Sequence, residues 1–370
     1  MKKNKNFLEK IVSSDAALSV IVVLAGFLCG TVLILLVGKN PAGMYKAILQ
    51  VTTGYSIDRG QFYIRYIGEW LAGSMPLILC GLAMAFAARV GLFNIGGEGQ
   101  YIIGLTAAQF AALYLPQIGI LHMIVAMLLA GFAGAIWGGI AGYLKAKREV
   151  SEVVATIMMN FIALYLSRML TMTIPGTNTY RTPSFPKTAM LNSEFWSRVT
   201  HHSQFNNGIW FVIASVLLFW YIMNKTKTGY ELRATGLNKT TAEVSGISVT
   251  KSIVLSMLIS GLFAGFAGGV VSLGSFSYGR VLGGMDNYGF TGIAVALVGN
   301  NTAIGTMLSG LLFGMLSSAQ PLMELNSIPK EIIYIIQGLV VIFIAIRYGL
   351  KIIILNSLKK KKSQKGVKNV

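Results

Sequence analysis

The chain has 370 residues, of which 54% are hydrophobic and only 12% are charged. This balance is too apolar for the surface of a soluble protein and indicates a protein that folds in lipid. The net charge of +18 would suit nucleic acid, because clustered cations release counterions from phosphate. The cations gather instead at the chain ends and in a few loops, so we expect a lipid bilayer and no nucleic acid as partner.

Long stretches without acidic or basic residues occupy most of the chain, and about 20 apolar helical residues cross a hydrocarbon core. The uncharged segments 99–144 and 287–323 are each long enough for two crossings. The pattern predicts an all-α, polytopic membrane protein with about ten transmembrane helices, some short or broken. They are expected at residues 16–37, 66–89, 97–115, 119–143, 152–173, 209–223, 252–272, 288–299, 302–320 and 331–348.

The positions of lysine and arginine predict the orientation, since both residues are enriched in cytoplasmic loops. Both chain ends are basic, so both termini are expected in the cytoplasm and the number of crossings must be even. The predicted organisation is a cytoplasmic segment at 1–15, a transmembrane domain at 16–350 and a basic cytoplasmic tail at 351–370. Within the domain, residues 174–207 form an external loop and residues 226–250 form a cytoplasmic loop.

Many of the 42 glycines recur at intervals of four residues inside predicted helices. These ridges are Gly134, Gly138 and Gly142; Gly261, Gly265 and Gly269; and Gly310 with Gly314. Small residues at this spacing let two helix backbones approach closely in lipid. We therefore predict tight helix packing along these ridges and assign no chemistry to them.

The segment GLFNIGGEGQ at residues 91–100 places four glycines and the acidic Glu98 between strongly apolar stretches. A dinucleotide-binding loop needs a preceding strand, and a P-loop needs Gly-Lys-Ser/Thr after its glycines, so neither motif is present. The segment predicts a helix break, which is tolerated in a membrane only where protein or a water-filled cavity surrounds it. Asn94 is expected to cap a helix that starts near Gly96, with Glu98 in its first turn.

Two interpretations of this break remain open. A structural role at the helix start explains Glu98, whereas ionisable residues within a membrane usually face a cavity. Amide side chains beside aromatic rings would suit a neutral solute made of a sugar and a planar base. On that interpretation the candidate residues of the solute path are Phe93, Asn94, Glu98, Gln100, Asn160 and Phe290. For Asn160 the alternative is a structural amide that joins two helices.

Other classes of protein fit the sequence less well. The three histidines and two cysteines have no spacing that would form a zinc site. A membrane-embedded enzyme would need paired carboxylates, a histidine-containing set or a metal constellation. A secondary transporter with broken helices would share the glycine breaks, but it ordinarily carries more acidic residues within the membrane.

The cytoplasmic loop reads TKTGYELRATGLNKTTAEVSGISVTKS at residues 226–252. Polar and small apolar positions alternate from Ala234 to Gly246. This pattern predicts one or two short amphipathic helices, with Gly236 and Gly246 as breaks. Such helices are typical of an element that docks a cytoplasmic partner.

Four segments of the chain resemble the permease subunits of ATP-binding-cassette (ABC) importers. They are GLFNIGGEGQ at 91–100, SEVVATIMMNFIA at 151–163, ELRATGLNKTTAEVSGISVTKSIVLSMLISGLFAGFAGG at 231–269 and GFTGIAVALVGN at 289–300. The resemblance is to the branched-chain amino acid and ribose permease superfamily, and within it to the nucleoside and simple-sugar branch. It covers about residues 15–350. It implies a transport subunit of the bacterial cell membrane, and not an enzyme.

The resemblance also implies partners. A homologous second permease, a cytoplasmic ABC ATPase and an extracellular substrate-binding lipoprotein would complete an importer of nucleosides such as guanosine, of another simple sugar or of a branched-chain amino acid. The chain has no Walker A lysine motif, so the ATPase would hydrolyse ATP and this chain would bind no cofactor. The family's coupling region falls on Thr235, Asn238, Thr240, Glu243, Ser245 and Gly246, which are the candidate ATPase contacts.

Overall fold

The computed structural model describes residues 15–344 and residue 346. The predicted tail at 351–370 and almost all of the predicted segment at 1–15 lie outside the described residues. The described part divides into two compact units. One unit combines the residues up to Ala47 with those from Ala319 onward, and the other is Ile48–Ser318.

Helices form most of the described chain. In chain order they are α1 (Asp15–Leu36), α2 (Ala42–Thr53), α3 (Ile64–Ala88), α4 (Gly97–Tyr114), α5 (Ile120–Arg148), α6 (Glu152–Met172), α7 (Glu194–Val199), α8 (Gly208–Lys225), α9 (Lys227–Leu237), α10 (Lys239–Val244), α11 (Val249–Val270), α12 (Tyr288–Val298), α13 (Ala303–Leu325) and α14 (Glu331–Ile344). A π-helical turn, Val271–Ser275, extends α11.

Each predicted crossing corresponds to a helix whose described limits lie within a few residues of the prediction. Among the described residues, six segments are long and apolar enough to cross a membrane: α3, α5, α6, α8, α13 and Val249–Ser275, which combines α11 with the π-helical turn. Val23–Leu36 of α1, α12 and α14 are shorter apolar helices. α4 has 18 residues but is less apolar than these six segments, because it contains Glu98, Gln100, Thr106 and Gln109. All four are buried against neighbouring elements.

Within residues 15–344, two short antiparallel ribbons accompany the helices. β1 (Tyr55–Ser56) pairs with β2 (Gln61–Phe62), and β3 (Arg181–Ser184) pairs with β4 (Tyr278–Arg280). β3 and α7 both lie within the segment predicted as an external loop. The all-α prediction therefore holds for the helical core but misses α2 and the ribbons, since strands this short leave no periodic pattern in the sequence.

α11 forms the centre of the larger unit, where it packs against α3, α4 and α5. A Cβ atom added to Gly261 of α11 would overlap the carbonyl oxygen of Gly134 in α5. Gly138 of α5 likewise lies against α11, and Gly104 of α4 lies against Gly265. The two predicted ridges on α5 and α11 are therefore confirmed as close backbone contacts, which dispersion forces stabilise in lipid.

The third predicted ridge joins α13 to α3. Gly310 lies against Ile78, and Gly314 lies against Ser74, so that neither glycine has room for a side chain. In the smaller unit, α1 and α14 pack in the same way. Val340 and Ile336 fill the space that side chains at Gly26 and Gly30 would need.

Candidate functional site

The glycine-rich segment forms the predicted helix break. α3 ends at Ala88, and regular helix resumes only at Gly97. Between them Gly91 has a φ of 73°, in the left-handed region that favours glycine. Leu92 and Asn94 are buried, whereas Gly91 and Phe93 are exposed, so protein surrounds this non-helical stretch on one side. Its backbone groups therefore need partners from neighbouring side chains.

Asn94 supplies several of these partners. Its Oδ1 accepts hydrogen bonds from the backbone N–H of Gly96 at 2.9 Å and from Nε2 of Gln100 at 3.3 Å. Its Nδ2 donates to Oε1 of Gln100 at 3.1 Å and to the hydroxyl of Ser260 at 2.7 Å. The Ser260 hydroxyl donates in turn to the carbonyl oxygen of Ala83 at 2.7 Å. One buried network thus joins the break to α3, α4 and α11.

Asn160 of α6 fixes the break from another side. Its Oδ1 accepts from the N–H of Gly99 at 2.8 Å, and its Nδ2 donates to the carbonyl oxygen of Ile95 at 3.0 Å. This is the helix-joining arrangement that the sequence left open for Asn160. A role for Asn160 in a solute path stays a prediction.

The start of α4 differs from the predicted capping arrangement. Gly96 occupies the N-cap position, and Asn94 contacts its amide from two residues earlier. Glu98 lies in the first turn, as predicted, but its carboxylate reaches a different helix. Oε1 accepts from the N–H of Asn287 at 2.7 Å, and Oε2 accepts from the N–H of Gly289 at 2.6 Å. Glu98 therefore caps the N-terminus of α12.

Two helix N-termini converge on this carboxylate. The start of α12 lies directly against the start of α4, because a Cβ atom at Gly289 would overlap the backbone of Glu98. A helix N-terminus carries about half a positive charge, so two of them compensate a carboxylate without a neighbouring cation. The contacts of Glu98 thus have a sufficient structural explanation, and a role in a solute path stays a prediction.

The two predicted aromatic path residues lie outside this buried cluster. Phe93 is about half exposed at the surface of the chain, and Phe290 is partly buried in the first turn of α12. The polar candidates Asn94, Glu98, Gln100 and Asn160 are all buried. The structure thus brings the four polar residues together around the break and leaves the two rings at its periphery.

An additional link between α4 and the segment before α12 was not predicted from the sequence. The hydroxyl of Tyr101 donates to Oδ2 of Asp286 at 2.7 Å, across a sequence separation of 185 residues. Arg280 pairs with the same carboxylate and donates from Nη1 to Oδ1 at 3.1 Å. Burial, the largest single influence, lowers the pKa of Arg280. Hydrogen bonding to Asp286 and the electrostatic interactions with Tyr101, Asp286 and Tyr288 together raise the pKa above its ordinary value. The guanidinium is therefore charged.

The loop at residues 226–250, called the coupling loop below, contains the two short helices α9 and α10. The break between them falls at Asn238, whose Oδ1 accepts from the N–H of Thr241 at 3.0 Å. The predicted break at Gly236 is wrong, because Gly236 lies inside α9. Gly246 follows α10 with a φ of 80°, as expected of a break. A groove of about 430 Å³ lies along the two helices.

Most of the predicted ATPase contacts lie on the surface of the coupling loop. The exposed residues are Asn238, Thr240, Glu243, Ser245 and Gly246. Thr235 is the exception: it is 1% exposed, and its hydroxyl donates to the carbonyl oxygen of Glu231 at 2.9 Å. Thr235 therefore does not offer its side chain to a partner in this structure.

Two exposed aliphatic residues of the coupling loop were not predicted from the sequence. Leu237 is 89% exposed and Val244 is 86% exposed, although both are large and apolar. Charged and polar residues surround them in the sequence, which is the signal that could have identified them. Exposed aliphatic side chains on a polar loop are typical of a protein–protein contact.

Gly236 connects the coupling loop to the helix break. A Cβ atom at Gly236 would overlap the carbonyl oxygen of Arg89, and it would lie 3.1 Å from the backbone of Val90. A Cβ atom at Gly91 would in turn lie 3.4 Å from the Cα of Gly236. The backbone of α9 and the backbone of the segment that leads to Asn94 are therefore in contact.

Most of this chain is similar in sequence to known proteins. The family model for the permease component of the branched-chain amino acid transport system matches residues 66–345. The chain is 38% identical to the guanosine ABC transporter permease protein NupP of Bacillus subtilis, over 94% of this chain and 98% of that protein. It is 33% identical to the nucleoside ABC transporter permease protein NupB of Lactococcus lactis, over 90% and 92%. It is 30% identical to the glucose ABC transporter permease protein TsgB13 of Haloferax volcanii, over 88% and 86%.

The family match includes the helix break, the buried amide network and the coupling loop. It confirms the predicted superfamily and the predicted location, a bacterial cell membrane that the chain crosses several times. The chain belongs to the permease family of the branched-chain amino acid transport system and is a transport subunit of the ABC type.

Proposed function

We propose that this chain is a permease subunit of an ABC importer that takes up nucleosides, with guanosine as the first candidate. The observation that carries the proposal is the 38% identity to a guanosine permease over nearly the whole of both chains. The second relative is also named a nucleoside permease. A sugar remains the alternative solute, because the third relative is named a glucose permease.

The proposed topology has ten crossings and places both termini in the cytoplasm. Ten helices coincide with the ten uncharged or weakly charged segments of the sequence, and six of them meet the length and composition of a membrane span. α12 is too short to cross alone and would span half of the membrane, beginning where Glu98 caps it. An even count places the basic ends and the coupling loop on the same side, in agreement with the positive-inside rule.

The proposed assembly contains two permeases, two ATPase domains and a surface lipoprotein. The second permease would be a homologous chain, and the ATPase would hydrolyse ATP, since this chain carries no Walker A lysine motif and is proposed to bind no cofactor. The exposed face of the coupling loop, which includes Leu237 and Val244, would receive the ATPase. The lipoprotein would dock near an open cavity of about 350 Å³ that Tyr278 and Asp286 line on the proposed outer side.

Alternating access then has a mechanical basis in the contacts of this chain. Closure of the ATPase domains would displace α9, and the backbone contact at Gly236 would pass the displacement to the segment from Arg89 to Gly91. That segment is rigidly joined to α3, α4 and α11 through the network of Asn94. The helices around the break would therefore move as a group.

Uptake into proteoliposomes tests the proposed function. The chain is reconstituted with its partner permease, its ATPase and its lipoprotein, and labelled guanosine is offered in competition with adenosine, uridine, ribose and glucose. We expect uptake that requires ATP and the ATPase and that nucleosides inhibit more strongly than sugars. Uptake by this chain alone under an ion gradient would indicate a secondary transporter. If glucose inhibits uptake and the nucleosides do not, the solute would be a sugar.

Accessibility of the coupling loop tests the proposed topology. A Ser245→Cys variant carries its new thiol on the exposed surface of the coupling loop. A membrane-impermeant maleimide should label it only after the cells are permeabilised. Labelling in intact cells would place this loop outside and contradict the proposed ATPase contact.

A further inference from the structure

A cavity of about 210 Å³ lies between the C-terminal ends of α3 and α8 and the N-terminal end of α13. Its lining consists of Arg89 after α3, of Phe219, Trp220, Met223 and Asn224 near the end of α8, and of residues 301–304 at the start of α13. On the proposed topology, all three ends lie at the cytoplasmic face. The cavity would therefore sit at the depth of the lipid headgroups.

The electrostatic character of this cavity is cationic. No acidic residue lines it, and the Arg89 guanidinium forms no ion pair with any other described residue. A second cation is close, because Nζ of Lys225 lies 5.6 Å from the centre of the Trp220 ring. Basic cavities between helices on the cytoplasmic side suit the headgroups of anionic lipids.

The cavity also offers a hydrogen-bond acceptor. Oδ1 of Asn301 is buried and has no hydrogen-bond partner among the described residues. A buried polar atom without a partner is costly, so a ligand with a hydroxyl group would satisfy it. A glycerol headgroup carries hydroxyl groups next to its phosphate and could supply this donor. Inorganic phosphate also keeps one or two hydroxyl groups at neutral pH, so the surface next to the cavity decides between the two.

An apolar surface continues from the cavity along the two helices that flank it. Trp220 and Leu217 of α8 are exposed, and so are Ile304 and Leu308 of α13. Leu217 and Leu308 each lie about one turn further from the cavity, in the direction of the hydrocarbon on the proposed topology. Tryptophan is enriched at the boundary between headgroups and acyl chains. The surface is therefore suited to acyl chains whose headgroup occupies the cavity.

We propose that this cavity is a binding site for an anionic phospholipid of the cytoplasmic leaflet with a glycerol headgroup, of the phosphatidylglycerol class. Its phosphate pairs with Arg89 and Lys225, a headgroup hydroxyl donates to Oδ1 of Asn301, and an acyl chain follows α8 and α13. The backbone of Arg89 itself contacts Gly236 of the coupling loop. The bound lipid thus holds this contact in place and affects how motion of α9 reaches the break.

Lipid retention by the purified complex tests this site. The complete transporter in mild detergent is incubated with phosphatidylglycerol or phosphatidylcholine, and the bound lipids are counted by native mass spectrometry. We expect preferential retention of phosphatidylglycerol. An Arg89→Gln variant should bind it about fivefold more weakly, the effect of one cation near a membrane surface. Arg168→Gln is the matched control, because Arg168 is an exposed arginine of α6 outside the lining, and it should not change retention.

A second variant keeps the test decisive if Arg89→Gln disturbs assembly. Lys225 ends α8, and Lys225→Gln should weaken phosphatidylglycerol retention by a similar factor. Equal retention by the wild-type protein and Lys225→Gln would overturn the proposal. Displacement of the lipid by millimolar inorganic phosphate would overturn the assignment to a lipid, since a soluble anion would then be sufficient. Neither readout depends on which solute is transported.

Discussion

The helix break and the coupling loop contain similar residues in opposite situations. Both contain glycines and an asparagine whose Oδ1 accepts a backbone hydrogen bond near a helix start, Asn94 in one and Asn238 in the other. In the break, the polar side chains are buried and bonded to protein groups. In the coupling loop, most polar residues from Asn238 to Gly246 are exposed, together with Leu237 and Val244, and Thr235 is the buried exception.

The break is a structural element whose polar groups are bonded within the chain, whereas the coupling loop has a surface that a partner could cover. The polar groups of the break are satisfied within the chain, so changes there should primarily reduce the stability of the fold. The coupling loop leaves apolar surface uncovered, which costs free energy until a partner covers it. Changes there should primarily reduce binding of the proposed ATPase partner. The predictions below test this division, in order of decreasing effect on the free energy of unfolding.

Replacement of Glu98 should have the largest effect. A Glu98→Gln side chain has one acceptor oxygen, so one of the two N–H groups at the start of α12 would lose its partner. We expect a loss of about 3 kcal/mol in the free energy of unfolding, because the bonds are charge-assisted and buried. Tryptophan fluorescence during unfolding of the purified chain in detergent measures this loss of stability. Unchanged stability with a raised KM for uptake would instead place Glu98 in the solute path.

Replacement of Asn160 should have a smaller effect of the same kind. Asn160→Leu removes the acceptor for Gly99 and the donor for Ile95, and we expect a loss of about 2 kcal/mol. Met158→Leu on the same helix is the matched control, because Met158 is exposed and should be neutral. Equal unfolding midpoints for the two variants would contradict the structural role of Asn160.

Gly236 lies at the contact between the coupling loop and the helix break, so its replacement should affect both stability and transport. In Gly236→Ala the new methyl group displaces the turn at Arg89, while alanine favours the helix by about 1 kcal/mol. We therefore expect a change in stability of about 1 kcal/mol or less and a several-fold fall in solute taken up per ATP hydrolysed. Gly338→Ala is the control, since an added Cβ there would have no described atom within 4 Å apart from its chain neighbours and its own helix backbone. Normal coupling in Gly236→Ala would remove this contact from the mechanism.

Leu237 should have the smallest effect on stability. Its side chain is exposed, so Leu237→Asp should change the free energy of unfolding by less than about 0.5 kcal/mol. The loss of an apolar anchor should weaken ATPase association about tenfold, and charge reversal in Glu243→Lys should weaken it less. Co-purification with the ATPase measures both variants. Glu194→Lys, in the exposed helix α7 on the proposed outer side, is the control, and an equal loss in this variant would argue against the docking surface.

Local sequence patterns determined the helices and their glycine ridges. A run of about 20 apolar residues in lipid forms a helix that spans the membrane, because its backbone N–H and C=O groups must bond to one another. Glycines four residues apart lie on one helix face whatever the rest of the chain does. The break near residue 94 was equally local, since glycine clusters interrupt helices wherever they occur.

The partners of the buried side chains were decided only by the tertiary structure. Glu98 bonds to the N–H of Asn287, a residue 189 positions away, so no local pattern could show that it caps α12 and not its own helix. The close approach of Gly236 to Arg89 and the burial of Thr235 have the same origin. Helix periodicity defines which side chains share a face, but packing between distant helices determines what that face contacts.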